Sequence, residues 1–597
     1  MKNIIFLLVD CFDYNKIGAN EYRQSPTPFL DQLRHNSYWA EKMYSQAPFT
    51  ESALIATMCG YDTLDRGGYL KRYKNCPQNM FEMIQKAGWE VYAQMWSHFY
   101  PTSSLKGIDV LRLRPFSFEV LWVYRFDYYS KLYDNGEIEK QDIDDLIDIL
   151  NENLDFWKQY YEMILDRKEE VRIVTENMDV SKVPACYKIL KKEIKKFHEN
   201  KREYVYEILK TKKEHILFSL FNEECLDKKI PAKFREKITH KYSGLNQKIY
   251  KTNNRLNRKN NHLSIQRLKE YYKRSKQPWK LKERTIFSQY LRNYYHITHY
   301  NELLGAIGEN YDRRKDWLST HRMMEYFLEW EESRANKEKP YFAYMHTEDI
   351  HGQCTVFDIC CTDEDEIERQ MRETEHYIDA LPGNYKGNLG YDLGLLNLDR
   401  TIAWFYRILE DKGILKDTIL VITSDHGCGT NYNPLRGEIQ NFHDECYHVP
   451  FIICGAGIEA CIDKDLHMTK DIMATIADLS KSKLPDSSTG ISIFSDQKRK
   501  WINQEYMGPG CPDMYRRPMW MCAFDKKWKV FIKANLMQNV FRYSVEEIYN
   551  LVEDPKEMNN LALSESAGKE SLYLIDVLEK RWHAIKNGYS RSGQYES

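Results

Sequence analysis

Asp425, His426 and Gly427 close the run TILVITSDHG, which reads as a buried strand running into a turn. A carboxylate beside an imidazole at a strand end offers two ligand types to a divalent cation, and the glycine lets the backbone turn sharply next to it. Two other strand-like runs end on similar chemistry. NIIFLLVD ends on Asp10, and YFAYM is followed by His346, Asp349 and His351. Ligands of open α/β sheets collect beyond the carboxyl ends of strands, so three such ends suggest one shared site. Thr50 precedes ESALIATMCG, at what reads as a helix start. Its hydroxyl is suited to capping that helix. The same position offers backbone N–H groups and a positive dipole end to a phosphate or sulfate. An alcohol bound to a cation there has a lowered pKa and acts as a nucleophile.

The elements that must position these residues fall into blocks. Residues 1–115 alternate strand-like and helix-like pieces, the pattern of an α/β sheet with crossover helices. Residues 116–335 are rich in Lys, Glu, Tyr and Asn with helical periodicity, and read as a large helical insertion. The α/β pattern returns over 336–495. Residues 496–597 read as a smaller α+β subdomain, in which RPMWMCAFDKKWKVFIKA suits a hairpin. No internal repeat is visible.

The net charge of −2 hides an asymmetry. Residues 191–300 carry 29 Lys and Arg against 11 Asp and Glu, an excess of +18, and the remainder of the chain carries −20. The stretch KTNNRLNRKNNHLSIQRLKEYYKR interleaves cations with tyrosines. That mixture suits a phosphate-bearing polymer or an anionic membrane face, and equally a solvated helix pair. No recognised nucleic-acid module accompanies it. The apolar opening run is short and stops at Asp10 with no small-residue cleavage site, unlike a signal peptide. No run of about 20 apolar residues suits a membrane span. The 14 cysteines lack framework spacing. These features together lead to the expectation of a cytoplasmic protein with reduced thiols, with membrane-surface association through the basic insertion as a variant.

Several motifs together resemble the sulfatase family of the alkaline phosphatase superfamily. They are NIIFLLVDCFDYNKIG, TPFLDQL, YSQAPFTESALIATMCG, FAYMHTEDIHG, TILVITSDHG, HVPFIICGAGI and EIYNLVEDPKEMNNLA, in family order. They cover roughly 1–115 and 340–565. The resemblance implies an alkaline-phosphatase-like mixed sheet flanked by helices. It implies a single divalent cation held by Asp10, Thr50, Asp425 and His426. Nitrogen with anionic oxygen favours Mn²⁺ or Zn²⁺, and Ca²⁺ remains open by resemblance. Thr50 is the implied nucleophile, with His346, His351 and His98 as the other catalytic candidates. His346 or His351 would protonate the leaving alcohol, and His443 with Asp349 would bind the substrate.

The chain also departs from the family pattern. The family's formylglycine motif needs a Cys or Ser and an Arg, whereas Thr50, Glu51, Ser52, Ala53 and Leu54 stand here. Cys11 replaces a second aspartate, and Trp96 a lysine. The chain resembles the Thr-nucleophile branch more closely. The expectation is a metal-dependent hydrolase of a phosphate or sulfate ester, acting on an anionic substrate such as a glycan or polymer. The alternatives are a phosphotransferase of the phosphoglycerol or phosphoethanolamine type and an inactive sulfatase-like binding protein.

Overall fold

The computed structural model describes residues 2–18, 25–66, 78–96, 106–114, 183–211, 214–217, 320–351, 389–428, 442–507, 519–536 and 538–593, with single positions within 133–165 and 369–381. The strands begin with β1 (Asn3–Val9), β2 (Tyr38–Tyr44), β3 (Glu90–Trp96), β4 (Val110–Arg114), β5 (Tyr341–Thr347) and β6 (Thr418–Ser424). They continue with β7 (His448–Gly455), β8 (Cys461–Asp463), β9 (His467–Met468), β10 (Ile502–Tyr506), β11 (Met519–Phe524), β12 (Trp528–Ala534) and β13 (Tyr543–Asn550). The chain forms two compact units, one of residues 1–91, 249–303 and 318–597, the other of residues 92–248 and 304–317.

The first unit is mixed α/β. Every residue of β5 and β6 is buried, as is β1 from its second residue onward. A parallel strand covered on both faces has no solvent side, so its sequence is a continuous apolar run without alternation. β1 lies between β5 and β6 and is parallel to both, with Val9 opposite Thr347 on one side and Ser424 on the other. That register brings the chain out at one sheet end just where Asp10 and Asp425 begin. The sheet continues through β7, antiparallel to β6 and β2, and through β8 and β9, parallel to β2. The helix Thr320–Ser333 packs on β5 and on the helix Leu389–Asp411, with Phe327 meeting Tyr341 and Phe405 ring to ring.

A short connection leads from β2 into the helix Thr50–Cys59. This helix ends at Gly60, whose φ of 68° lies in the left-handed region that glycine adopts without strain. The four-stranded antiparallel sheet β10-β11-β12-β13 closes the chain. Its hairpin β11–β12 pairs Met519 with Ala534, as the sequence suggested. Leu574, Leu578, Trp582 and Ile585, on one stripe of the helix Leu572–Gly593, complete a core with Met519, Met521, Val530 and Ile532. In the second unit, β3 and β4 pair in parallel. The helices Val183–Glu199 and Lys201–Thr211 bury Leu190, Phe197, Tyr204, Ile208 and Leu209. Most of the basic run 191–300 lies outside the described residues. Among the described residues, no helix is long and apolar enough to cross a membrane.

Candidate active site

Asp10, Thr50, Asp425 and His426 converge at the carboxyl ends of β1 and β6. Asp10 and Asp425 are fully buried and Thr50 is 4% exposed. Thr50 Oγ1 donates to Asp10 Oδ2 at 3.0 Å and lies 3.2 Å from His426 Nε2. His426 Nε2 also lies 3.4 Å from Asp10 Oδ1 and 3.5 Å from Asp425 Oδ2.

Local geometry explains the convergence. Asp10 continues β1 through its amide, which donates to Thr347 O at 2.9 Å. Asp425 Oδ1 accepts the His426 amide at 2.8 Å, which fixes the carboxylate at the turn. Ser45, on the β2 connection, donates its hydroxyl to the Asp425 carbonyl at 2.5 Å and ties the approach to the nucleophile helix to this turn. Gly427 packs so closely that a Cβ there would sit 2.3 Å from the Glu445 carbonyl oxygen.

The arrangement fits a cation. His426 Nδ1 lies 2.7 Å from Gly427 O. Since a carbonyl only accepts, Nδ1 carries a proton, and it is Nε2 that faces the two carboxylates and would offer its lone pair to a cation. Asp10 Oδ1 and Asp425 Oδ2 have no hydrogen-bond partner among the described residues. Buried carboxylate oxygens of this kind are costly unless positive charge joins them. Burial, together with the neighbouring Asp10, pushes the Asp425 carboxyl up to about 6. Burial acts the same way on Asp10, but His351, His426 and His346 outweigh it and hold that carboxyl below its usual value. One oxygen of Asp10, one of Asp425 and one ring nitrogen of His426 lie within 4.8 Å of one another. That is an oxygen-and-nitrogen donor set for a divalent ion.

The other expected residues divide. His346 Nε2 lies 3.8 Å from Asp10 Oδ2 and is fully buried, and burial pushes this imidazole down to about 4. His351 is exposed and places a ring nitrogen within 4.8 Å of an Asp10 oxygen, so it stands at the solvent edge of the site. Asp349 turns its Oδ2 to the Thr320 amide at 2.8 Å, at the start of the helix Thr320–Ser333. His443 is ion-paired with Glu557 and lies 3.6 Å from Glu547, with Lys529 Nζ 2.5 Å from Glu557 Oε1. Neither Asp349 nor His443 belongs to the Asp10 cluster. His98 lies outside the described residues.

Two cysteines absent from the sequence expectations also stand here. Cys11 follows Asp10 directly, and Cys428 shares a side-chain hydrogen bond with it. The signal in the sequence was adjacency: each lies within two residues of an expected ligand.

The family model described as Sulfatase matches residues 2–160 and 235–482. An arylsulfatase of Clostridium perfringens (strain 13 / Type A) is 24% identical over 214 residues, covering 34% of this chain and 42% of the relative. A delta 4,5-hexuronate-2-O-sulfatase of Bacteroides thetaiotaomicron is 29% identical over 222 residues, covering 34% and 41%. The chain therefore spans about two fifths of the length of these curated relatives. A Bacteroides thetaiotaomicron VPI-5482 crystal structure, solved as a sulfatase candidate, superposes with a TM-score of 0.50 at 13% identity. The match covers 99% of this chain and 94% of that one, a likeness of fold.

Proposed function

Because this chain belongs to the sulfatase family, we propose that it hydrolyses an anionic ester, a sulfate ester first and a phosphate ester second, with Thr50 as the nucleophile. One observation carries the reading. The Thr50 hydroxyl lies at a helix start, 3.0 Å from Asp10 and 3.2 Å from His426, beside buried carboxylate oxygens that need positive charge. Asp10, Asp425, His426 and Thr50 would hold a divalent cation, which supplies a lowered hydroxyl pKa and neutralises a non-bridging ester oxygen.

The residues divide the remaining work. Asp10 Oδ2 orients the Thr50 hydroxyl through their hydrogen bond. Thr50 gives its hydroxyl proton to Asp10 Oδ2, and its Oγ1 bonds to the sulfur or phosphorus as the ester oxygen departs in line. His351, at the open edge, gives the departing alcohol its proton, because a leaving group exits toward solvent and His346 is sealed behind Asp10. Water then attacks the sulfur or phosphorus and gives a proton to His351, while Thr50 Oγ1 departs and recovers its proton from Asp10 Oδ2. The hexuronate-sulfatase relative makes sulfated sugars the first substrates to try.

The test is a panel of aryl sulfate, aryl phosphate, phosphodiester and sulfated-sugar substrates, run on the wild type and on Thr50→Ala. The expected result is turnover of at least one ester by the wild type, lost in a folded Thr50→Ala protein. Full activity in that variant excludes Thr50 as nucleophile, and a wild type inert to every ester with its cation bound supports the binding-protein alternative.

A further inference from the structure

We propose that the C-terminal sheet and helix set the placement of the nucleophile, and that Thr63 and Arg581 are positioning residues for Thr50 although neither belongs to the Asp10 cluster. The inference rests on the reading of Thr50 as nucleophile and adds what aligns it.

The nucleophile and its partners are carried by different parts of the framework. Asp10, Asp425 and His426 stand at the ends of β1 and β6, which pair directly with each other. Thr50 stands on the helix Thr50–Cys59, so its distance from them depends on what holds that helix. Phe49 holds the start. Its carbonyl accepts the Ser52 and Ala53 amides at 3.2 and 3.0 Å. Its ring packs against both apolar cores that flank the C-terminal sheet and meets Tyr506 nearly edge-on, with 6.1 Å between centroids.

A buried charge cluster holds the segment beyond the helix end. Arg581, on the helix Leu572–Gly593, forks onto Glu505 of β10, with Nε 2.7 Å from Oε2 and Nη2 2.7 Å from Oε1. Its Nη1 bonds Asp65 and lies 3.8 Å from Asp62. Glu505 Oε1 also accepts the Leu64 amide at 3.2 Å, and Lys470 Nζ donates to Asp62 at 2.7 Å. Two cations and a carboxylate thus fix the turn Asp62–Asp65. Thr63 passes the constraint back to the helix. Its buried hydroxyl donates to the Ser52 carbonyl at 2.9 Å, two residues from Thr50.

A buried ion cluster is weak evidence for stability, because desolvation offsets much of its attraction. It does impose one geometry. A planar guanidinium can bond Glu505 bidentately while reaching Asp65, whereas an ammonium is a point charge without that fork. Reacting groups need such placement: a shift of about 1 Å caused by a distant change can lower a rate by about a hundredfold. The 3.0 Å hydrogen bond between Thr50 Oγ1 and Asp10 Oδ2 does not survive a displacement of that size.

The test compares the wild type with Thr63→Val, Thr63→Ser and Arg581→Lys by steady-state kinetics on whichever ester is turned over and by amide hydrogen exchange. Thr63→Val removes the hydroxyl at nearly constant shape, Thr63→Ser keeps it, and Arg581→Lys keeps the charge without the fork. In Thr63→Val and Arg581→Lys, kcat should fall roughly tenfold or more with KM within about twofold. The amides of residues 53–60 should exchange severalfold faster while those of β1 and β6 exchange as in the wild type. Thr63→Ser should restore both readings. If Thr63→Val does not fold, Arg581→Lys carries the comparison. An unchanged kcat, unchanged exchange in the helix, or faster exchange spread equally over β1 and β6 would each overturn the proposal. A wild type that turns over no ester removes the Thr50 reading instead, and the exchange comparison then decides by itself whether the C-terminal elements hold the helix.

Discussion

Replacing Asp425 by Asn should change stability in opposite directions depending on whether a cation is present. Without the ion, two buried carboxylates face each other with one oxygen of each within 4.8 Å. At that separation and an effective dielectric near 20, their repulsion is about 3.5 kcal/mol, reduced wherever His426 takes up a proton. Asp425→Asn removes one charge and keeps the carbonyl acceptor for the His426 amide. The chelated variant should therefore be more stable than chelated wild type, by up to about 3 kcal/mol. With the ion, wild type gains the binding free energy, about 4 kcal/mol at a thousandfold excess over Kd, and the variant loses most of it. Urea unfolding of both proteins in chelator and in saturating Zn²⁺ reads the crossover directly. A variant equally destabilised in both conditions would refute the reasoning, because Asp425 would then be a structural acceptor and not half of a charge pair waiting for a cation.

Two further outcomes follow from the same structure. Gly427→Ala forces a Cβ to 2.3 Å from the Glu445 carbonyl oxygen, where backbone must move. It should cost about 1–3 kcal/mol in urea unfolding and weaken cation binding in calorimetry through displacement of Asp425 and His426. Unchanged affinity would separate the turn from the site. Asp399 accepts the Phe29 and Leu30 amides, but burial pushes its carboxyl up to about 7. The folded protein therefore holds a proton that the unfolded chain gives up near pH 4. Asp399 thus contributes stability that is fully present below about pH 4 and lost as pH rises to about 7, at up to about 1.4 kcal/mol per unit. Asp399→Asn should flatten that slope in urea titrations between pH 5 and 8. An identical slope in the two proteins would exclude Asp399 as its source.

What could be read from the sequence follows from what fixes each residue in space. The meeting of Asp10 and Asp425 was legible because β1 and β6 are unbroken apolar runs, and parallel register carries their ends to one place. The helix start at Thr50 was legible because it is a local signal, although Phe49 and not Thr50 takes the cap position. The partners of Asp349 and His443 were not, since nothing local announces that one meets the Thr320 amide or that the other pairs with Glu557, 114 residues away. The buried charges Asp62, Lys470, Glu505 and Arg581 are linked across more than 400 residues. Such partners are set by packing, which composition does not record. Cys11 read as a departure from a motif, because its left-handed turn and its approach to His426 exist only once β1 and β6 are paired.

The central claim is that Asp10, Asp425, His426 and the Thr50 hydroxyl surround one cation. Anomalous diffraction from crystals of the zinc-loaded protein tests it most directly. The account predicts a single strong peak bounded by those four side chains, and its loss in Asp425→Asn crystals. Zinc bound elsewhere, with those four side chains in contact with one another and no ion between them, would contradict it.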